Sequence, residues 1–202
     1  MGRGCGVRGM LFLGMGLILL IVVGLLFYNR SVERDARSLA GEMDVSGTSA
    51  RQALAPAVEL AVQWQEDAQL AVVSRQWLEA GKHPGTDDGW AFQFFSPSAR
   101  RLALVTVTGG TASLARESSS PYAVPTFSAD EWQVDSDQAL GIWWERGGQN
   151  LLVRRPDATL VIQLRVPEEG GEHPVWTVAG FAGTESVISV ALDGTDGAVV
   201  ER

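Results

Sequence analysis

Two histidines are the side chains in this sequence best suited to metal or proton chemistry. His83 and His173 each precede a proline and lie in equivalent loops, with Asp87, Asp88 and Glu172 nearby. If the two loops lay at the same rim of the domain, the histidines would form a weak metal-binding or pH-sensing pair. However, a residue before proline is pushed toward an extended conformation, and no His-x-x-His or His-x-x-x-His spacing occurs. We therefore interpret both as loop residues and expect no bound metal.

Asp67 and Asp157 begin two equivalent predicted strands and are candidates for acid–base chemistry. Such work needs two carboxylates about 5 to 10 Å apart, and nothing in the sequence places them so. Aspartate readily bonds nearby backbone amides, which favours a turn role for each. Residues 193–197 (DGTDG) resemble the start of a calcium loop but lack its later bidentate glutamate, so we predict a hairpin turn there.

Motifs for nucleophilic, phosphate-binding or redox chemistry are absent. Ser128 and the serine run 118–120 have no paired base, and no Gly-x-Ser-x-Gly elbow occurs. No phosphate loop or dinucleotide fingerprint is found either. The single cysteine, Cys5, precedes the long apolar run, so the folded part contains no disulfide. We expect a non-enzymatic domain without a cofactor.

Seven tryptophans are many for a domain of this size: Trp64, Trp77, Trp90, Trp132, Trp143, Trp144 and Trp176. If exposed, they would stack on sugars or anchor a peptide; we favour a role in the core for most. Trp143 and Trp144 are adjacent on a predicted helix, about 100° apart. At most one faces its own sheet, so this pair is the candidate partner surface.

The elements that position these residues follow an apolar run near the N-terminus. Residues 9–29 are uncharged and reach roughly 31 Å as a helix, the thickness of a bilayer core. We predict a transmembrane helix there, with residues 1–8 as a short basic cytoplasmic tail and residues 30–48 as a juxtamembrane stalk. The remainder would lie outside the cytoplasm. Alternatives are a cleaved signal peptide, whose apolar run is usually about 7 to 15 residues, and the inverted topology.

Charge excludes one class of partner. The chain has 24 acidic and 16 basic residues, a formal net charge of −8. Such a surface repels phosphate backbones, so we expect no nucleic-acid partner.

Four landmarks recur in the same order, which indicates an internal repeat. They are Gln-Ala-Leu (52–54, 138–140), Asp-Ala-x-Leu (67–70, 157–160), Trp with Phe five residues later (90 and 95, 176 and 181), and a Gly-containing turn (109–110, 193–194). We predict a first helix-plus-sheet unit at 49–116, a linker at 117–134 and a second unit at 135–202.

Each unit reads as one helix followed by about four antiparallel strands. Asp135 and Gln138 form a capping-box pattern, and Gly147-Gly148 is predicted to end that helix. Residues 158–166 alternate with period two, as a half-buried strand requires. The predicted fold class is α+β: an N-terminal transmembrane helix, then two tandem units, each a helix packed on its own sheet.

The order of elements resembles the PepSY and cystatin-like modules of bacterial envelope proteins. Three segments near the C-terminus carry the resemblance: Trp176-Thr177-Val178, the strand from Val187, and the sequence DGTDGAVV at 193–200. Together they are similar to the PepSY ending. Gly194 and Asp196 depart from the usual residues there. The resemblance implies binding or restraining other proteins, proteases included, and brings no catalytic residues.

We therefore predict a membrane-anchored, extracytoplasmic, non-enzymatic binding or regulatory module for a protein or peptide. One alternative is a small-molecule or glycan-binding domain with a pocket between helix and sheet, and another is a structural component of an envelope assembly. A closed apolar core with an exposed strand edge favours the first function. An open cavity with converging Asp, His and Trp favours the second, and a flat apolar patch the third.

Overall fold

One continuous antiparallel sheet organises the chain. The structure, a computed structural model, describes residues 48–82, 89–168 and 171–200. The elements in chain order are α1 (Ala50–Trp64), β1 (Gln69–Trp77), β2 (Trp90–Ser96), β3 (Arg101–Thr108), β4 (Thr111–Ser119), α2 (Ser136–Trp143), a π-helical turn (Trp144–Gly148), α3 (Gln149–Arg154), β5 (Thr159–Arg165), β6 (Val175–Ala182) and β7 (Glu185–Asp193).

The seven strands lie in the order β4-β3-β2-β1-β5-β6-β7. β1 and β5 pair in the middle of the sheet, with Val73 opposite Leu164 and Ser74 opposite Gln163. We call this β1–β5 pairing the seam. From the seam outward, each half is a meander of neighbouring antiparallel strands. The seam therefore joins the two halves of the chain through backbone hydrogen bonds.

The predicted fold class, two tandem units each with its own sheet, is wrong. The structure has one seven-stranded sheet and one apolar core that both halves share. The physical reason lies in the first strand of each half, β1 and β5. In a separate unit each would be an edge strand, with the backbone N–H and C=O groups on one side unpaired. Pairing β1 with β5 satisfies both edges at once. Side-chain periodicity could not reveal this, because it reports the faces of a strand and not its lateral neighbours.

The core lies between one face of the sheet and the helices. Alternate residues of the central strands point to this face, and Val73, Phe92 and Ile162 are fully buried there. At its centre the Trp176 ring meets Trp90 and Trp132 edge-on, with centroids 6.5 and 5.9 Å apart. Both halves contribute to this aromatic cluster, so neither can be removed without exposing it.

Side chains at the N-terminus of α2 accept hydrogen bonds from the first amides of α1. The predicted capping box of Asp135 and Gln138 is confirmed, and Ser49 forms another at α1. In addition, the Ala50 amide donates to Ser136 Oγ at 3.0 Å, and the Arg51 amide donates to Asp135 Oδ1 at 3.2 Å. Unpaired amides at helix starts need such acceptors. We call this arrangement the helix joint.

The prediction that Gly147-Gly148 ends the second helix is confirmed, because Gly147 has φ of 115° and non-helical geometry. A further short helix, α3, follows and reaches Arg154. The turn around Gly147 is a kink between these two helical segments. It also brings Gly148 against the Trp143 ring, where a side chain would not fit.

The described part of the chain contains no helix long and apolar enough to cross a membrane. Its longest helix, α1, has 15 residues and reaches about 22 Å, short of a bilayer core of about 30 Å. The predicted transmembrane helix at 9–29 lies outside the described residues, as do the tail at 1–8 and nearly all of the stalk at 30–48. Because no membrane-spanning helix is found in the described residues, the prediction of a single-pass anchor with an extracytoplasmic domain is corrected and not retained.

Candidate functional site

The predicted partner surface consists of Trp143 and Trp144. Trp143 is part of the apolar core, and Trp144 lies at its edge. Trp143 is fully buried against Gly148 and Gly180, and its indole N–H points to the Ile188 carbonyl. Trp144 is half-buried and packs against the same core. Adjacent helical positions thus separate as expected, with Trp143 facing the sheet.

Of the two candidate metal ligands, His83 lies outside the described residues. His173 is exposed in the loop before β6. Burial raises the pKa of Asp193, but hydrogen bonds from Thr195 and the charge of His173 outweigh it and hold that pKa below its ordinary value. Within the described ranges, no group of three or more His, Cys, Asp and Glu residues could hold a metal ion.

The remaining aspartates organise local backbone. Asp67 accepts the Ser96 hydroxyl at 2.6 Å and the Ser98 amide at 2.8 Å, which lower its pKa. Hydrogen bonds from Arg155 lower the pKa of Asp157. Both carboxylates therefore stay ionised at neutral pH: the turn after β2 engages Asp67, and the neighbouring Arg155 engages Asp157. Such groups are poorly suited to donate a proton.

The β4 strand is an open edge of the sheet. Within the described chain it pairs with β3 alone, and of its nine residues only Ala112 is not exposed. The opposite edge is partly covered: Val199 bridges Leu192, and the Val200 amide donates to the Ala191 carbonyl at 2.9 Å. The longest bare backbone edge in the described chain is therefore β4.

The hairpin before β4 determines which backbone groups face outward. Thr108 and Thr111 flank a two-residue loop, Gly109-Gly110, in which both glycines have positive φ. The two residues that flank such a loop exchange backbone hydrogen bonds, whereas the next two residues that face each other across the strands exchange none. Ala112 and Leu114 therefore direct their amide and carbonyl groups away from β3.

The side chains along this edge are apolar near its start and charged near its end. Leu114, 39% exposed, lies on the helix side opposite Val105. After a one-residue bulge, Arg116 is exposed, while Glu117 accepts the indole N–H of Trp64 at 3.0 Å and pairs with an arginine of β3. Bulges and charges commonly limit pairing at sheet edges. Residues 111–114 are thus the regular, uncharged part of the edge.

A second surface feature lies on the opposite side of α1 from β4. There a groove of about 470 Å³ runs between α1 and the segment 126–131, which we call the strap. Apolar side chains dominate its lining: Leu54, Val58, Val62, Leu70, Phe94 and Phe127. Val58 and Val62 are 39% and 48% exposed. Pockets of this size and lining commonly hold small ligands.

Hydrogen bonds fix the strap. Phe127 pairs with Leu70 as an isolated bridge, its amide 2.9 Å from the Leu70 carbonyl. The Thr126 hydroxyl lies 2.8 Å from Gln69 Oε1. The Ser128 amide donates to Glu131 Oε2 at 2.7 Å, so the Glu131 carboxylate is held at the rim.

Sequence reasoning named an exposed strand edge and a pocket between helix and sheet as features to expect, but it located neither surface. Val58 and Val62 follow Leu54 at helical spacing in the sequence, but the strap that completes the groove comes from the predicted linker at 117–134. The residue types of β4 do not reveal that it is an edge strand, because the position of a strand in the sheet depends on which strands pair with it.

No family model matches this chain, and no similar curated protein or solved structure is found. The PepSY and cystatin-like resemblance stays a prediction. The two surfaces are therefore interpreted from their own geometry.

Proposed function

We propose that this domain is a non-enzymatic binding module that adds an extended segment of a protein or peptide partner to its sheet at β4. The observation that carries the proposal is the bare β4 edge, nine residues long and paired on one side only in the described chain. Peptide-binding domains commonly use such an edge as a template for one more strand.

The outward backbone groups of Ala112 and Leu114 support this proposal. An incoming strand would bond to both residues and extend the sheet without disturbing β3. Main-chain bonds of this kind supply affinity, while alternate side chains supply specificity. Partner residues on the helix side would lie beside Leu114, where an apolar side chain covers exposed apolar surface.

Charge indicates a further preference at the other end of the edge. Arg116 is exposed and forms no ion pair within the described ranges. An acidic partner residue at that position would pair with its guanidinium. We expect successive side chains of the partner segment to point to opposite faces of the sheet. One apolar side chain should lie near Leu114 and one acidic side chain near Arg116.

The test is selection of displayed random decapeptides on the full-length chain. Enriched peptides should share that pattern, and their synthetic forms should bind in calorimetry. Ala112→Pro should abolish binding while the protein stays folded, because the amide it removes faces solvent and proline is tolerated there. Ala112→Thr is the matched control and should bind as the wild type does.

Three results would count against the proposal. The first is enrichment of peptides that lack the pattern, and the second is unchanged binding by the Ala112→Pro variant. Alternatively, the chain could form a dimer in sedimentation that Ala112→Pro dissociates, which would assign the β4 edge to a second copy of the chain.

A further inference from the structure

We propose that the groove between α1 and the strap binds a small amphipathic cation, a molecule with an apolar body and a protonated amine. This site is separate from β4 and does not depend on the proposed function. Its ligand class follows from the shape of the groove, its apolar lining and the Glu131 carboxylate at its rim.

The body of the ligand is determined by the lining. The floor is Leu70 and Phe94, and the α1 wall presents Val58 and Val62, which water reaches in the absence of a ligand. Covering apolar surface releases about 25 cal/mol per Å². A volume of about 470 Å³ accommodates a chain or ring system of small-molecule size.

The polar end of the ligand is determined by Glu131. Its carboxylate is held at the rim by the Ser128 amide, which leaves Oε1 available. Among the described residues that line the groove there is no lysine or arginine, and Glu131 forms no ion pair with any described residue. A cation therefore completes the rim, whereas an anion meets a like charge.

The charge of the whole chain acts in the same direction. A formal net charge of −8 raises the local concentration of cations around the domain. This long-range attraction would act on any cation, so the test must separate it from the effect of Glu131.

The experiment measures binding of octylamine, octanoate and octanol to the full-length chain, by calorimetry and by chemical-shift changes. Each ligand is kept below its micelle concentration or, for octanol, below its solubility limit. We expect octylamine to bind at least about fivefold more tightly than octanoate. Shift changes should map to Val58, Val62 and Phe127. Glu131→Gln keeps an acceptor for the Ser128 amide and should remove most of the preference for the amine.

Asp130→Asn is the matched control, because it removes the same charge from the adjacent exposed residue, which does not line the groove. It should retain the preference. The proposal is overturned if octanoate binds wild type as tightly as octylamine, if both variants lose the preference equally, or if no ligand shifts the groove residues. Binding through the β4 edge is measured separately, so either proposal can fail alone.

Discussion

At the scale of single residues, carboxylates in this domain serve the backbone. Asp67 closes the turn after β2, and Asp193 does the same after β7 by accepting the Thr195 amide at 2.7 Å. Asp135 caps two helices. The sequence correctly favoured turn and cap roles, because aspartate bonds nearby amides in any fold. It could not reveal that Asp135 also reaches α1, since that contact joins residues 84 positions apart.

Asp67→Asn should change how stability depends on pH. Hydrogen bonds from Ser96 and Ser98 hold the pKa of Asp67 below its ordinary value of 3.8. The ionised carboxylate therefore stabilises the fold above the unfolded pKa, and this contribution is lost as pH falls through the lower, folded pKa. We expect the variant to melt below wild type at pH 7, with a narrower gap at pH 3, in thermal unfolding followed by circular dichroism. A gap independent of pH would contradict this role.

Asp135→Ala should destabilise more than an ordinary cap substitution. Loss of one N-cap costs about 1 kcal/mol, but Asp135 accepts from the first turn of α2 and from the Arg51 amide of α1. We expect about 2 kcal/mol in urea unfolding, against about 1 kcal/mol for Ser49→Ala, which removes the α1 cap alone. Asp135→Asn, which keeps the acceptor, should lose much less. Equal losses for the two alanine variants would show that the helix joint does not couple the helices.

At the scale of elements, local pattern and lateral placement contribute separately. The strand predicted at 158–166 is β5 at Thr159–Arg165, and the Asp135 capping box begins α2. Both follow from short-range periodicity and hydrogen bonding. The helix end at Gly147 was predicted, but α3 after it was not, because Leu151 of α3 and Trp143 both pack against Gly180 of β6. That packing depends on β6, which is distant in sequence.

Two glycines of the second helical segment should respond oppositely to alanine. A Cβ at Gly148 would lie 2.2 Å from Trp143 Cε3, whereas a Cβ at Gly141 meets nothing within 4 Å. We expect Gly148→Ala to cost about 1 to 3 kcal/mol by overpacking. Gly141→Ala should gain about 0.5 to 1 kcal/mol from helix propensity. Urea unfolding measures both, and a loss at Gly141 would contradict the open position of that residue.

At the scale of the whole molecule, the seam makes the two halves one unit. Ser74 pairs with Ala91 on one side and Gln163 on the other, so β1 is central in the sheet. Trp176 packs against Trp90 and Trp132 in the shared core. The repeat was readable in sequence, but its consequence was not. Similar halves predict similar elements, and only the need to pair two backbone edges makes them share one sheet.

We therefore expect a single cooperative unfolding transition. Tryptophan fluorescence and far-ultraviolet circular dichroism should report the same midpoint, and the calorimetric and van't Hoff enthalpies should agree. Ser74→Pro, which removes a hydrogen bond from a central strand, should lower that midpoint for both signals together. Two separate transitions would show that the halves hold independent cores.

The seam also determines when the domain can fold during synthesis. Its pairs, Val72 with Arg165 and Trp77 with Leu160, join residues more than 80 positions apart, whereas β2, β3 and β4 pair with strands adjacent in the chain. Contacts distant in sequence form slowly. A nascent chain ending before β5 holds a completed meander whose first strand has an uncovered side, and that intermediate is prone to association with its neighbours on the same messenger.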